Sequence, residues 1–199
     1  MAKMLPIFLN LKGRDVLIVG GGNVALEKLN SLLPCQPKIT IISKNIIPEI
    51  LKLKETYLGI RLVEREVEFS DIENRFLVFL ATNDRILNSK ISDYARNKRI
   101  LVNSVDDKDS SDFFSAAVFD RGPFRISIST EGKFAGFSKM LKNALVEILP
   151  EENDPEWDCL ASMRDTIQKK IPEISERKRI LGKLISTLEE EYFAIRGNR

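Results

Sequence analysis

The stretch RDVLIVGGGNVALEKLNSLL, residues 14–33, decides how the rest of the chain is read. Val16 to Val19 is wholly apolar, as a strand buried on both faces of a parallel sheet must be. It runs straight into Gly20, Gly21 and Gly22. Glycine loses more conformational freedom on ordering than any other residue, so three together mark a place where bare backbone is needed. From Asn23 the spacing turns helical. Val24, Leu26, Leu29, Leu32 and Leu33 supply one apolar side, and Pro34 and Pro37 close the segment. KITII (38–42) follows as a second strand. Strand, glycine turn, helix and strand in this order form a βαβ unit, whose crossover is right-handed.

The spacing Gly20-x-Gly22-x-x-Ala25 matches the dinucleotide pattern G-x-G-x-x-G/A in its proper setting, after a strand and before a helix. Gly20 permits the tight turn and Gly22 lets the backbone approach a diphosphate. Ala25 allows close packing of helix on sheet, and the helix start offers free N–H groups and partial positive charge. The same turn could stand without a ligand; its position between strand and helix favours one. The acidic residue that usually meets the ribose about twenty residues on is absent. Ser43-Lys44-Asn45 stands there instead. Asn45 or backbone groups could meet a ribose, and Lys44 could meet a 2′-phosphate, so the spacing is compatible with NAD or NADP.

Further strands are expected at 60–67 (IRLVEREV), 76–82 (FLVFLAT) and 99–105 (RILVNSV). Asn83-Asp84 offers a cap for a helix carrying Ile86, Leu87, Ile91, Tyr94 and Ala95. Alternating buried strands and helices predict an α/β domain of Rossmann-like, doubly wound type over residues 1–112. The pattern then changes. FFSAAVFD (113–120) and FRISIST (124–130) flank Arg121-Gly122-Pro123 as a hairpin, and a helix follows from about 133 to 149 with Phe137, Leu141, Ala144, Leu145 and Ile148 as its stripe. A two-strand hairpin with one helix cannot stand alone, so this 113–150 element must pack on the first domain or on a second subunit. Pro150 and the acidic run after it mark a linker, and 151–199 reads as a mainly helical C-terminal region.

Bulk composition narrows the function. The chain has 199 residues, and 31 basic against 29 acidic side chains leave it too evenly charged for a dedicated nucleic-acid binder. No apolar run approaches the length of a membrane span, and the N-terminal segment lacks the features of a secretory signal. Cys35 and Cys159 form no CxxC pair, which argues for a reducing, cytoplasmic setting and against a cysteine metal site. There is no histidine. Proton chemistry near neutral pH therefore falls to carboxylates, lysine or tyrosine. VNSVDD places Asp106 and Asp107 just past the fifth strand, at the edge where open α/β sheets hold ligands. A partly desolvated aspartate there is a candidate general base, although such a pair also suits a polar turn. Thr82 occupies the matching end of the fourth strand.

LPIFLNLKGRDVLIVGGGNVALEKLNSLL (5–33), FLATND (79–84), VNSVDD (102–107) and the hairpin with its helix together resemble the precorrin-2 dehydrogenase/sirohydrochlorin ferrochelatase family. That family includes the N-terminal module of siroheme synthases and shorter stand-alone enzymes. The resemblance covers residues 4–150 closely and the tail more loosely. It implies NAD-dependent oxidation of the tetrapyrrole precorrin-2 to sirohydrochlorin, followed in some members by insertion of ferrous iron. It implies a homodimer, with the 113–150 element as the dimerisation element, and Asp106 as the residue serving proton transfer. It carries cofactor contacts to Gly22, Asn23, Val24, Lys44, Asn45 and Thr82 beside Gly20. With no histidine and no paired cysteines, no metal site is expected. Lys133, Arg164, Lys169 and Lys170 are candidates to meet substrate carboxylates. One departure is Ser129-Thr130-Glu131-Gly132-Lys133, where related synthases carry a serine- and glycine-rich turn. The chief rival is a non-enzymatic NAD(H)-binding regulatory module, which would have no need of Asp106.

Overall fold

The computed structural model describes residues 4–105, 107–121, 124–131, 133–148 and 155–188, with the backbone alone at 135, 148, 155–161, 164 and 188. They divide between two compact units, Met1–Ser115 with Glu131–Lys133, and Ala116–Thr130 with Phe134–Arg199.

The first unit is a five-stranded parallel sheet. Its strands are β1 (Asp15–Val19), β2 (Lys38–Ile42), β3 (Ile60–Val63), β4 (Leu77–Leu80) and β5 (Leu101–Ser104), in the spatial order β3-β2-β1-β4-β5. The chain therefore winds outward from β1 to β3, returns to the other side of β1, and winds outward again. The reversal lies between β1 and β4, the place where such sheets open a ligand crevice at the carboxyl ends of their strands. Val19 pairs with Ile42 on one side and with Leu80 on the other. The segments leaving β1, β2 and β4 thus start level with one another.

Alternation along the buried strands splits their side chains between two cores. Val16, Ile18, Ile39, Ile41, Leu77 and Phe79 face α1 (Asn23–Leu32) and α2 (Pro48–Thr56), whose Ala25, Leu29, Leu32 and Ile50 complete that core. Leu17, Val19, Val78, Leu80 and Val102 face α3 (Arg85–Asn97) through Ile91 and Ala95. Helices on both faces make this the doubly wound, Rossmann-like fold that the strand pattern predicts. Helix α2 has no counterpart among the sequence expectations. Only Ile50 of it is fully buried, so its apolar stripe is too thin to stand out, while Pro48 starts it where a missing N–H costs nothing.

Several strands end earlier than their apolar runs. β3 stops at Val63 because β2 offers pairing only to Ile42. Arg65 then turns away to hold Asp71 with two hydrogen bonds of 2.7 Å. Phe113, expected to open the hairpin, belongs to the first unit. Its ring meets Phe79 edge-on at 5.3 Å and its carbonyl accepts from Asn103 Nδ2 at 2.8 Å.

In the second unit, β6 (Ala117–Arg121) pairs antiparallel with β7 (Phe124–Ile128). Helix α4 (Ala135–Ile148) lies against this hairpin, with Lys142 Nζ donating to the Val118 carbonyl and Arg121 Nη2 to that of Val146. Two helices follow, α5 (Pro155–Lys170) and α6 (Ile174–Leu188), separated at Pro172. Phe137, Met140 and Leu141 of α4 are all exposed. No helix among the described residues is long and apolar enough to cross a membrane.

Candidate active site

Each glycine of the turn after β1 has a different reason to lack a side chain. Gly20 has φ +118°, a conformation L residues avoid, and an added Cβ would lie 2.8 Å from the Ala81 carbonyl carbon. Its N–H donates to Ile42 at 2.9 Å. A Cβ on Gly21 would press on the Asn45 carbonyl oxygen and come within 3.0 Å of Ile46 Cα and Ser43 Cβ. The Gly21 carbonyl accepts from the Ile47 N–H at 3.0 Å. Gly21 is an unspecified position in the dinucleotide pattern, so spacing gave it no role; here it lets the β2 loop lie directly on the turn.

Gly22 differs from both. A Cβ there would meet nothing within 4 Å, and its backbone (φ −96°, ψ −164°) suits any residue. The fold itself places no demand for glycine at this position. Gly22 is the N-cap of α1, which has no side-chain cap and no acidic residue in its first turn. By contrast, Asp84 caps α3 by accepting from the Leu87 N–H at 2.9 Å. No side chain thus caps the first N–H groups of α1, which follow bare backbone, and Asn23 and Val24 are exposed. Uncapped N–H groups and partial positive charge at a helix start suit an anion such as a diphosphate.

The structure brings the β2 and β4 loops to this turn. Ser43 Oγ donates to the Asn45 carbonyl at 2.8 Å, shaping the loop that abuts Gly21. Lys44 is exposed and forms an ion pair with Glu66, a partner unforeseen from spacing. After β4, the Thr82 hydroxyl donates to Asn88 Oδ1 at 2.6 Å and accepts from the Asp84 N–H at 3.2 Å. Asn88 Nδ2 in turn donates to the Thr82 carbonyl at 3.0 Å. Thr82 is therefore engaged inside the protein, and buried Asn88 fixes the loop's shape.

Asp106 lies outside the described residues. Its neighbours are held firmly. Val105 N–H donates to Leu80 at 3.2 Å, extending the sheet. Asp107 accepts from the Ser110 hydroxyl at 2.5 Å and from the N–H groups of Asp109 and Ser110 at 3.0 and 3.3 Å. The Ser110 hydroxyl, with those two N–H groups, holds the Asp107 carboxyl below the usual carboxylate range, and burial only partly opposes it. Asp107 is thus an ionised structural acceptor, poorly suited to taking a proton.

Of the candidate substrate-binding cations, Lys133 is exposed and pairs with Glu131 at 3.7 Å. Lys169 and Lys170 are exposed in the last turn of α5, in the second unit, and the Arg164 side chain lies outside the described residues. Among the described residues, no group of three or more Cys, Asp or Glu side chains could hold a metal ion. A cavity of about 330 Å³ lined by Glu73, Asn74, Arg75, Lys98, Arg99 and Ile100 lies at the amino ends of β4 and β5, away from the glycine turn.

Comparisons with known proteins bear on the family and the fold. Residues 7–117 match the family described as "Putative NAD(P)-binding". The siroheme synthase of Vesicomyosocius okutanii subsp. Calyptogena okutanii (strain HA) is 31% identical over 187 residues, covering 94% of this chain and 40% of that protein. The siroheme synthase of Zymomonas mobilis subsp. mobilis (strain ATCC 31821 / ZM4 / CP4) is 33% identical over 174 residues, covering 87% and 37%. The chain thus spans about two fifths of the length of these relatives. Among solved structures, "SirC, precorrin-2 dehydrogenase" superposes with a TM-score of 0.76 at 24% identity, covering 98% of this chain and 100% of that one, a likeness of fold.

Proposed function

Since the chain belongs to this NAD(P)-binding family, we propose that it is a precorrin-2 dehydrogenase, oxidising precorrin-2 to sirohydrochlorin with NAD on the way to siroheme. The observation that carries the reading is the open cradle at Gly22, beside an uncapped helix start, at the switch point of the sheet. The names borne by its relatives supply the substrate class.

The reaction removes a hydride and a proton from the tetrapyrrole. Bound NAD supplies the hydride acceptor. The chain's own work is to hold the dinucleotide and to receive the proton. Gly22, Asn23 and Val24 would meet the diphosphate through backbone N–H groups. Asn45 and the β2 loop would hold its adenosine half, and the Thr82 loop would stand on the β4 side of the turn. With histidine absent and Asp107 tied to Ser110, Asp106 is the carboxylate proposed to take the proton. Where iron insertion follows, displacement of two pyrrole protons by ferrous iron as substrate calls on the same kind of base.

We further read the protein as a cytoplasmic homodimer. Exposed Phe137, Met140 and Leu141 on α4 support a second copy as the cover for the hairpin-and-helix element. The domains proposed with this reading are 1–112 for cofactor binding, 113–150 for dimerisation and 151–199 for the helical region, whereas the compact units divide after Ser115 and return Glu131–Lys133 to the first.

The test is anaerobic. Precorrin-2 and NAD are mixed with the protein, and NADH and sirohydrochlorin are followed by absorbance before ferrous iron or cobalt is added. NADH formation dependent on precorrin-2 supports the dehydrogenase, and a further spectral change on metal addition supports chelation. NAD binding without turnover would favour a regulatory module instead.

A further inference from the structure

The acidic residue that a dinucleotide site usually presents after its second strand is missing from Ser43, Lys44 and Asn45. A carboxylate stands there nonetheless, delivered by the neighbouring strand. Ile42 of β2 lies opposite Val63 of β3, and the Ser43 N–H donates to the Val63 carbonyl at 3.2 Å. Both chains therefore leave the sheet side by side, and Glu66 reaches Lys44 in an ion pair.

The backbone beneath this pair is fixed on each side. Arg65 Nη1 donates to the Glu66 carbonyl at 2.7 Å, while the same guanidinium grips Asp71 through two bonds. Arg65 is thereby committed, and its charge does not compete with Lys44 for the Glu66 carboxylate. On the Lys44 side, the loop is tied to the glycine turn by the Ile47–Gly21 bond and by contact of the Asn45 carbonyl with Gly21. The side chains themselves are 65% and 73% exposed, so a ligand crossing this edge can reach them.

We propose that Glu66 supplies the carboxylate for the adenosine ribose and, by occupying Lys44, selects NAD over NADP. The proposal rests on the reading of the glycine turn as the dinucleotide site. A carboxylate accepts hydrogen bonds from ribose hydroxyls. It repels a 2′-phosphate, which brings about two negative charges, and Lys44, the cation that could welcome that phosphate, is already neutralised. Removing the Glu66 charge both ends the repulsion and frees Lys44.

Calorimetric titration of NAD and NADP into the intact chain tests this without any turnover. The wild-type protein is expected to bind NAD more tightly than NADP by about tenfold or more. Glu66→Gln is expected to shift that ratio towards NADP by at least about tenfold, mainly through tighter NADP binding. Adding Lys44→Ala to Glu66→Gln is expected to abolish the gain. A wild-type preference for NADP, an unchanged ratio in Glu66→Gln, or an equal loss of both ligands would each overturn the assignment. Wild-type protein that binds neither dinucleotide would overturn the cofactor reading along with it; NAD binding with an unchanged ratio overturns this proposal alone.

Discussion

A Cβ on Gly20 would lie 2.8 Å from the carbonyl carbon of Ala81, whereas one on Gly22 would find nothing within 4 Å. The two glycines of one motif thus answer to different masters. Gly20→Ala must strain a φ of +118° and push β4's exit aside, which should cost about 3 kcal/mol or more. Gly22→Ala should change stability by no more than about 1 kcal/mol, the scale of an N-cap substitution. It should nevertheless weaken NAD binding at least about tenfold by holding the diphosphate off the backbone, and Gly22→Asp should abolish binding. Urea unfolding and NAD titration on the same preparations separate the effects. Normal NAD affinity in Gly22→Ala would mean that the open space serves no dinucleotide.

The adjacent aspartates after β5 should separate in the same manner. Asp106→Ala should leave the NAD dissociation constant unchanged and reduce turnover by about a hundredfold or more, the usual contribution of a general base. Asp107→Asn keeps the shape that receives the Ser110 hydroxyl, so turnover should persist, with a lower melting temperature. Single-turnover absorbance of sirohydrochlorin measures both. Full activity in Asp106→Ala would remove this residue from the mechanism.

What the sequence made legible follows from how far apart the cooperating residues lie. The β1–Gly20–α1 unit is local, and its apolar runs and glycine spacing announce it. The need for bare backbone at Gly21 is set by the Asn45 carbonyl, and Glu66 comes to Lys44 only because β3 lies next to β2. Both depend on strand order, which periodicity does not encode. Helix α2 stayed hidden because a single buried Ile50 makes no stripe. The stripe of α4 was plain in the spacing, yet Phe137 and Leu141 are exposed in the single chain. Amphipathic spacing tells that a face is apolar without telling what covers it.

Acid stability offers a third test, at Arg65 and Asp71. The Arg65 guanidinium holds the Asp71 carboxyl below its ordinary range, the Glu68 N–H assists, and burial opposes. A carboxyl with a lowered folded pKa stabilises the fold above its unfolded value, about 3.9, and loses that contribution as pH falls through the folded value. The Asp71 side chain is 12% exposed but Arg65 is 41% exposed, so solvent screening limits the expected loss in Asp71→Asn to about 1 kcal/mol at pH 7. Urea midpoints of wild type and variant should converge as pH drops from about 5 towards 2. A gap of constant size over that range would show that the pair's charge contributes nothing.

Thr82 and Asn88 allow direct contact with the cofactor to be told from positioning of the loop. Asn88 is 3% exposed, and its side chain exchanges two hydrogen bonds with Thr82. Thr82→Val leaves the buried Asn88 oxygen without its donor, and Asn88→Ala strands the Thr82 carbonyl. Each should cost about 1–3 kcal/mol. The double variant should cost less than the two together by at least about 0.5 kcal/mol, since one network is lost in either case. If Thr82 acts only by shaping the crevice wall, NAD affinity should fall by a similar factor in both single variants. A loss confined to Thr82→Val would instead assign its hydroxyl a direct bond to the dinucleotide, because buried Asn88 cannot make one.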